Sequence, residues 1–405
     1  MAVGLQLPAP LLPIDGLRLG VAAAGIRYRS RNDLLVIEAA SGTRGAAVFT
    51  KNAFCAAPVQ LARRHLGIAA PRFLLVNAGN ANAGTGAAGL AAAQETCRLL
   101  AERGGCAVDA VLPFSTGVIG EPLPVDRFAD GIESALADLR KDAWLDAAHT
   151  IMTTDTLPKG GSRQIEIDGH TVTLTGIAKG AGMIRPDMAT LLVFIGTDAG
   201  LPEALLGKVL HAAMAESFNS ITVDGDTSTN DACTLLATGA SGIEIVDADS
   251  PGYAAFAAAL ADLCQQLAQA VIRDGEGATK FVTVDVVGAR SKDEARQVGF
   301  TVAHSPLVKT ALFASDPNWG RILAAVGRSG IPDLDAARVD LDINGVRIAT
   351  AGGRDPAYTE ARGQAALAES DIVIRIDLSR GDASARIWTN DLSHEYVRIN
   401  ADYRS

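Results

Sequence analysis

The run QIEIDGHTVTLTGIAKG, residues 164 to 180, constrains this fold more than any other stretch. Ile165 and Ile167 alternate with polar residues into Asp168-Gly169, and Val172 and Leu174 alternate out. An Asp-Gly pair between two alternating segments marks a two-residue hairpin turn, because both central residues need positive φ. The chain must therefore carry antiparallel strands. VDLDINGVRIATAG (339 to 352) repeats the pattern about Asn344-Gly345, and DIVIRIDLSRGDASARIWTN (371 to 390) predicts a third hairpin about Gly381-Asp382. Apolar runs at 33–40, 46–50, 72–79 and 281–289 read as further strands. Between them lie helical patterns. Residues 84–105 form one; 201–218 carries a stripe of Leu206, Val209, Leu210, Ala213 and Met214; 253–275 carries Phe256, Leu260, Leu263, Leu267 and Val271. Hairpins interleaved with helices favour mixed sheets covered by helices, so an α/β class with a layered α/β/β/α sandwich is expected rather than a doubly wound parallel sheet. A length of 405 residues is long for one core, so two lobes are expected.

Bulk properties narrow the function. Hydrophobic residues make up 48% and charged residues 20%, which excludes a disordered chain, and the net charge of -10 with no Lys/Arg cluster argues against a general nucleic-acid binder. Five cysteines (Cys55, Cys97, Cys106, Cys233, Cys264) are scattered without a CxxC pair, which indicates neither a disulfide framework nor a zinc site. Pro8, Pro10, Pro13 and Asp15 break any apolar leader at the N-terminus, and no uninterrupted apolar run approaches the ~18 residues of a membrane span. The expectation is a soluble, cytoplasmic protein that acts on small molecules.

Familiar catalytic signatures are missing. The six histidines (His65, His149, His170, His211, His304, His394) show no metal-type pairing, and no metal is expected. Neither GxSxG nor GxxxxGK[ST] occurs, and NAGNANAGTGAAG (77 to 89) lacks the GxGxxG spacing of a dinucleotide site. Three polar turns remain. VLPFSTGVIG contains Ser115, Thr116 and Gly117, where a Gly amide and a Thr hydroxyl can face an oxyanion; alone, an S-T-G turn is more often an ordinary capped turn. MTTDTLPKG sets Thr153 and Thr154 beside Asp155, to bind a polar ligand or to bond their own backbone. KGAGMIRPDMATLLVFIGTDAG (179 to 200) changes abruptly at Thr190 from small, Gly-punctuated residues to a strand-like run. A Thr at the start of a chain can use its own α-amino group, of pKa about 7.7 to 8.0, as its base. That requires the Ala189–Thr190 bond to be cut, by an N-to-O acyl shift and ester hydrolysis. A Thr that merely opens a buried strand is the commoner case.

The landmarks VFTKNAFCAAPV, VNAGNANAGTG, PFSTGVIG, IMTTDTLPK, AKGAGMIRPDMATLL, SFNSITVDGDTSTND, DGEGATKF, DPNWGRILAAVGRSG and YVRINADYRS follow one another in order. In that order they resemble the glutamate N-acetyltransferases of arginine biosynthesis, the ArgJ-type ornithine acetyltransferases, over essentially the whole chain. The resemblance implies an α/β sandwich in two αββα-type lobes, with chemistry like that of N-terminal-nucleophile hydrolases on a distinct topology. It implies self-cleavage between Ala189 and Thr190 into an α chain (1 to 189) and a β chain (190 to 405), associated as an α2β2 heterotetramer. Thr190 becomes the nucleophile, Thr116 and Gly117 the oxyanion hole, and Thr153 (or Thr154), Lys179, Glu276, Asn400 and Ser405 substrate-binding positions. The implied reaction is ping-pong: Thr190 takes acetyl from N2-acetylornithine and passes it to glutamate. Lys179 would pair with an anionic group or lower the pKa of the new amine, and Glu276 would meet the ornithine ammonium, while Asn400 and Ser405 offer neutral hydrogen bonds. No cofactor is implied; acetyl-CoA as a second donor is left open. Ala181 stands where family members often have Ser, and Ser405 where Thr is usual. Asp226, Asn230 and Asp231 are read as a rigid polar loop supporting the site, slightly ahead of a direct part in catalysis.

Two rivals stand beside this reading. One is a related self-cleaving amidohydrolase or aminopeptidase, in which water resolves the acyl-enzyme; the other is an uncut binding protein.

Overall fold

The computed structural model describes residues 2–185 and 191–402. The first lobe contains strands β1 (Leu17–Ala22), β2 (Leu34–Ala39), β3 (Arg44–Phe49), β4 (Phe73–Asn80), β5 (Val111–Val118), β6 (Lys159–Ile167), β7 (His170–Lys179), β8 (Leu192–Thr197) and β9 (Ala232–Ala237). Its helices are α1 (Ala57–Leu66), α2 (Gly86–Gly104), α3 (Phe128–Ala137), α4 (Trp144–Thr150), α5 (Glu203–Ala215) and α6 (Pro251–Arg273). The strands form two mixed sheets, ordered β1-β2-β4-β5 and β3-β9-β8-β7-β6.

Strand alternation builds four layers from this order. Leu19, Ile37, Val76 and Phe114 of the first sheet pack against Ile177, Phe194 and Leu236 of the second. Phe114 and Phe194 meet edge to face across the gap, with centroids 5.2 Å apart. The opposite faces are covered in turn: Val36, Leu75 and Val111 by α2 and α3, and Leu174, Ile195 and Leu235 by α5 and α6. This is the expected α/β/β/α sandwich. Helix α6 is long and apolar enough to cross a membrane, but its stripe of Phe256, Leu260, Leu263, Leu267 and Val271 is spent on this core.

The second lobe is simpler than a second αββα sandwich. It contains β10 (Phe281–Ala289), β11 (Asp340–Ile343), β12 (Val346–Thr350), β13 (Gly353–Arg354), β14 (Asp371–Asp377) and β15 (Ala383–Asn390), with helices α7 (Lys292–Ala303), α8 (Pro306–Phe313), α9 (Trp319–Gly327), α10 (Glu360–Ala368) and α11 (His394–Ala401). One six-stranded sheet, ordered β13-β12-β11-β14-β10-β15, carries α7 to α10 on one face, where Val284, Ile374 and Leu341 are buried. Its other face is largely charged, with Asp285 paired to Arg375 at 2.9 Å and to Arg386 at 3.7 Å, and at one end Phe281 and Trp388 join the core of the first lobe. What that face leaves exposed is mainly charged, Val373 excepted, so a second sheet has little apolar surface to cover.

The turns at Asp168-Gly169 and Asn344-Gly345 form as expected, with φ of 51° and 79° and of 46° and 75°. The third hairpin does not form. β10 lies between β14 and β15, parallel to the former and antiparallel to the latter. The connection wraps the end of β10: Leu378 donates to the Val287 carbonyl at 3.0 Å, and Arg380 and Gly381 both donate to that of Gly288. A strand from 90 residues earlier satisfies the backbone that a local turn would have paired.

Candidate active site

Antiparallel pairing sets Lys179, at the end of β7, opposite Leu192 at the start of β8. The sandwich brings the end of β5 to the same edge, and α6 and α11 deliver residues from the lobe junction. The result is a cleft of about 270 Å³ lined by Thr116, Gly117, Thr153, Thr154, Lys179, Glu276 and Asn400, with Met183 and Ser228 to Asn230 beside them. Thr190, Ala189 and Ser405 lie outside the described residues. Leu191, the residue bonded to Thr190, is buried, and its carbonyl accepts from Ala232 at 2.9 Å, which ties the start of β8 to β9.

Gly117 is set by close approach. Its φ is 132°, and a Cβ there would lie 2.2 Å from the Gly79 carbonyl carbon. Only glycine lets β5 press against β4 at this point, where the parallel register breaks between Gly79 and Asn80. The strand end is fixed by amides. Ser115 donates to Asn77 at 2.6 Å, and Asn77 donates to the Asn80 carbonyl at 2.9 Å. Asn230, in the turn before β9, donates to the carbonyls of Ala81 (2.6 Å) and Ser115 (2.9 Å) and accepts from Thr229. Both amide protons of Asn230 are used to join the two sheets, so this part of the loop supports the site. The amide of Gly117 and the hydroxyl of Thr116 belong to a rigid platform that can stabilise a developing oxyanion.

The Thr153–Thr154 turn rests on a buried charge cluster. Lys159, with no exposed side-chain surface, donates to Asp155 at 2.7 Å and to Asp274 at 2.6 Å. Asp155 also accepts from the amides of Thr153 (3.1 Å) and Gly180 (2.7 Å), and the Lys179 ammonium stands 4.0 Å away. Burial works against ionisation of Asp155, but the charges of Lys159 and Lys179 outweigh it and hold the carboxyl well below the usual range. Asp274 accepts from the Thr156 and Leu157 amides and the Thr156 hydroxyl, which docks the turn on the end of α6. Sequence reasoning singled out the threonines and missed Lys159 and Asp274; the Asp155–Lys159 spacing is legible, but the second carboxylate lies 115 residues on.

Glu276 follows the end of α6. Its amide donates to the Ala181 carbonyl at 2.9 Å, and its carboxylate accepts from Asn400 at 2.7 Å. A Cβ on Gly182 would come within 2.5 Å of the Glu276 carboxyl carbon, so glycine is what admits the carboxylate to this wall. Asp231 is a different acid. Burial drives its carboxyl well above the usual range, against smaller opposing effects from Ser228 and Lys179, and its Oδ2 has no hydrogen-bond partner among the described residues. No cluster of three or more His, Cys, Asp or Glu able to hold a metal occurs among those residues.

The ArgJ family model matches residues 18–405. The arginine biosynthesis bifunctional protein ArgJ of Pseudomonas syringae pv. tomato is 56% identical over 407 residues, covering 100% of both chains. That of Methylococcus capsulatus is 57% identical over 395 residues, covering 98% of this chain and 97% of its own. Among solved structures, the crystal structure of the Bacillus halodurans bifunctional protein ArgJ is 39% identical, covers 50% of this chain and 95% of its own, and superposes with a TM-score of 0.49. A match that runs from residue 18 to residue 405, with relatives more than half identical along their whole length, leaves one conclusion: the chain belongs to the ArgJ family.

Proposed function

We propose that this chain cuts itself between Ala189 and Thr190 and then moves an acetyl group from N2-acetylornithine to glutamate through acetyl-Thr190, as an acetyltransferase of arginine biosynthesis. In the first event the Thr190 hydroxyl attacks the Ala189 carbonyl carbon, the C–N bond breaks, and water hydrolyses the resulting ester. The new α-amino group of Thr190 then serves as base. It takes the hydroxyl proton as Oγ attacks the acetyl carbon and returns it to the departing nitrogen of ornithine; glutamate's neutral amine reverses the sequence. The Gly117 amide and Thr116 hydroxyl stabilise the tetrahedral oxyanion. Glu276 faces the cationic end of ornithine, while Lys179, Thr153 or Thr154, Asn400 and Ser405 bind the parts common to both substrates. A cleft that holds both a cation-binding carboxylate and a lysine suits a site that must accept ornithine and glutamate in turn.

The observation that carries this reading is convergence. Thr116 and Gly117 from one sheet and Lys179 from the other line one cleft, at the edge where β8 begins two residues after Thr190. Family membership favours the transferase over the amidohydrolase and the uncut binding protein. The chains 1–189 and 190–405 stay together in this proposal, as an α2β2 heterotetramer in the cytoplasm. The two relatives are named bifunctional; the matching proposal is that acetyl-CoA is a second donor to glutamate, with no bound cofactor. Incubation with N-acetylornithine, with and without glutamate, tests the main reading: N-acetylglutamate should appear only when both are present. Acetate release indifferent to glutamate, with no N-acetylglutamate, refutes it.

A further inference from the structure

Asp224, in the turn that precedes β9, grips two elements on either side of the cleft. One carboxylate oxygen accepts from the Met183 amide at 2.7 Å and from the Tyr396 hydroxyl of α11 at 3.2 Å. The other accepts from the amides of Ile184 at 2.9 Å and Asp226 at 3.2 Å. Met183 has a φ of 54°, a left-handed conformation unfavourable for a methionine, and its partly exposed side chain lines the cleft. The two charge-assisted bonds hold that conformation. On the other arm, no α11 residue is fully buried; Tyr396 packs half-buried against the core of the first lobe, and polar tethers add to that contact in placing the helix that carries Asn400.

These contacts close into a ring. Asp224 holds Met183; the preceding residue, Gly182, lies against the Glu276 carboxylate; Glu276 accepts from Asn400. Asn400 also donates to the Tyr396 carbonyl one helical turn back at 3.0 Å, and the Tyr396 hydroxyl returns to Asp224. Burial, reinforced by the Asp224 carboxylate, keeps the Tyr396 phenol protonated and therefore a donor. We propose that Asp224 is a positioning residue for substrate binding, which sets the placement of Glu276 and Asn400 by joining the 182–184 turn to α11. The proposal rests on the assignment of this cleft as the acetyl-transfer site. Asp224 does not itself line the cleft; it acts through Met183 and α11 on the wall formed by Glu276 and Asn400.

Tyr396→Phe opens one arm of the ring without altering charge. In the full chain we expect KM for N-acetylornithine and for glutamate to rise about fivefold, the effect of one hydrogen bond, with kcat changed by less than about twofold. Amide exchange at Met183 and Ile184 should quicken together with that of α11. Asp224→Asn, which sets an amide NH2 against N–H donors, should raise KM further and speed exchange in both segments. Unchanged KM values in both variants, or faster exchange confined to α11, overturn the proposal. A wild-type protein that makes no N-acetylglutamate would instead overturn the functional reading, and exchange at Met183 and Ile184 would still decide the role of Asp224.

Discussion

Lys159→Met removes the cation from a cluster that is closed to solvent. The Lys159 ammonium, Asp155 and Asp274 have no exposed side-chain surface, and the cation lies 2.7 and 2.6 Å from the two carboxylates. Methionine fills most of the space but leaves two buried acids facing each other. Loss of one partner from a buried pair costs about 3–5 kcal/mol. For a chain of this size that lowers the melting temperature by roughly 4 to 6 °C, which leaves the protein folded at room temperature. The pH dependence separates this cause from simple loss of packing. In the wild type the Asp155 carboxyl titrates below its unfolded value, so its contribution is complete above that value and is lost only as pH falls through the folded one. Without Lys159, burial is opposed at Asp155 only by Lys179 at 4.0 Å and the backbone donors, and we expect the folded value to rise above the unfolded one. The sign reverses, and the variant regains stability as pH falls. Calorimetric melting at pH 7 and pH 5 should therefore show a gap between wild type and variant that narrows on acidification. A gap under about 1 kcal/mol, or one of equal size at both pH values, would refute the claim that a buried charge cluster holds the Thr153–Thr154 turn.

Other consequences follow from single residues. Gly117→Ala puts a Cβ 2.2 Å from the Gly79 carbonyl carbon, so the strand end must shift; kcat for acetyl transfer should fall about 100- to 1000-fold with the chain still folded, measured by steady-state kinetics and circular dichroism. His304 is depressed to about 4 by burial, then by Arg185, Lys309 and Arg328. Its folded value lies below its unfolded one, so its stabilisation is present above pH ~6.5 and is lost as pH falls towards 4, amounting to about 2 kcal/mol by pH 5. Denaturant titration of wild type and His304→Asn at pH 7.5 and pH 5 should show that the substitution removes this loss. Asp231 has the opposite sign: its folded value is raised, so its contribution is full at low pH and is lost as pH rises. Asp231→Asn should therefore gain stability relative to wild type from pH 5 to pH 8, and a variant that loses ground over that range contradicts the neutral-acid assignment.

What the sequence reveals here depends on how local the cause is. Asp168-Gly169 and Asn344-Gly345 specify their turns through two adjacent residues, and both hairpins form where expected. Gly381-Asp382 looks much the same, yet β10 enters between its flanking strands, because pairing with a distant strand competes on equal terms with a local turn. The second lobe's single helix-covered face is written in the alternation of polar Asp285, Arg375 and Arg386 with buried neighbours, although it differs from a two-sheet expectation. At the cleft, Thr116, Gly117, Lys179, Glu276 and Asn400 come together from strands and helices far apart in the chain. Of their supports, the Asn230 turn is legible as a rigid polar loop, and others are not. Asp274 reaches Lys159 across 115 residues, and the left-handed Met183 carries no Gly or Asn to announce it. Such features arise from tertiary packing, which overrides the preference of any one residue.

The account turns on one bond. The intact mass of purified protein under denaturing conditions, before and after exposure to N-acetylornithine, tests it most directly. Two chains, 1–189 and 190–405, should appear in place of the 41.8 kDa species, and the acetyl group should be found on Thr190 at the start of the second chain. A single uncut 41.8 kDa chain that still makes N-acetylglutamate, or a cut enzyme whose acetyl group resides elsewhere, would contradict it.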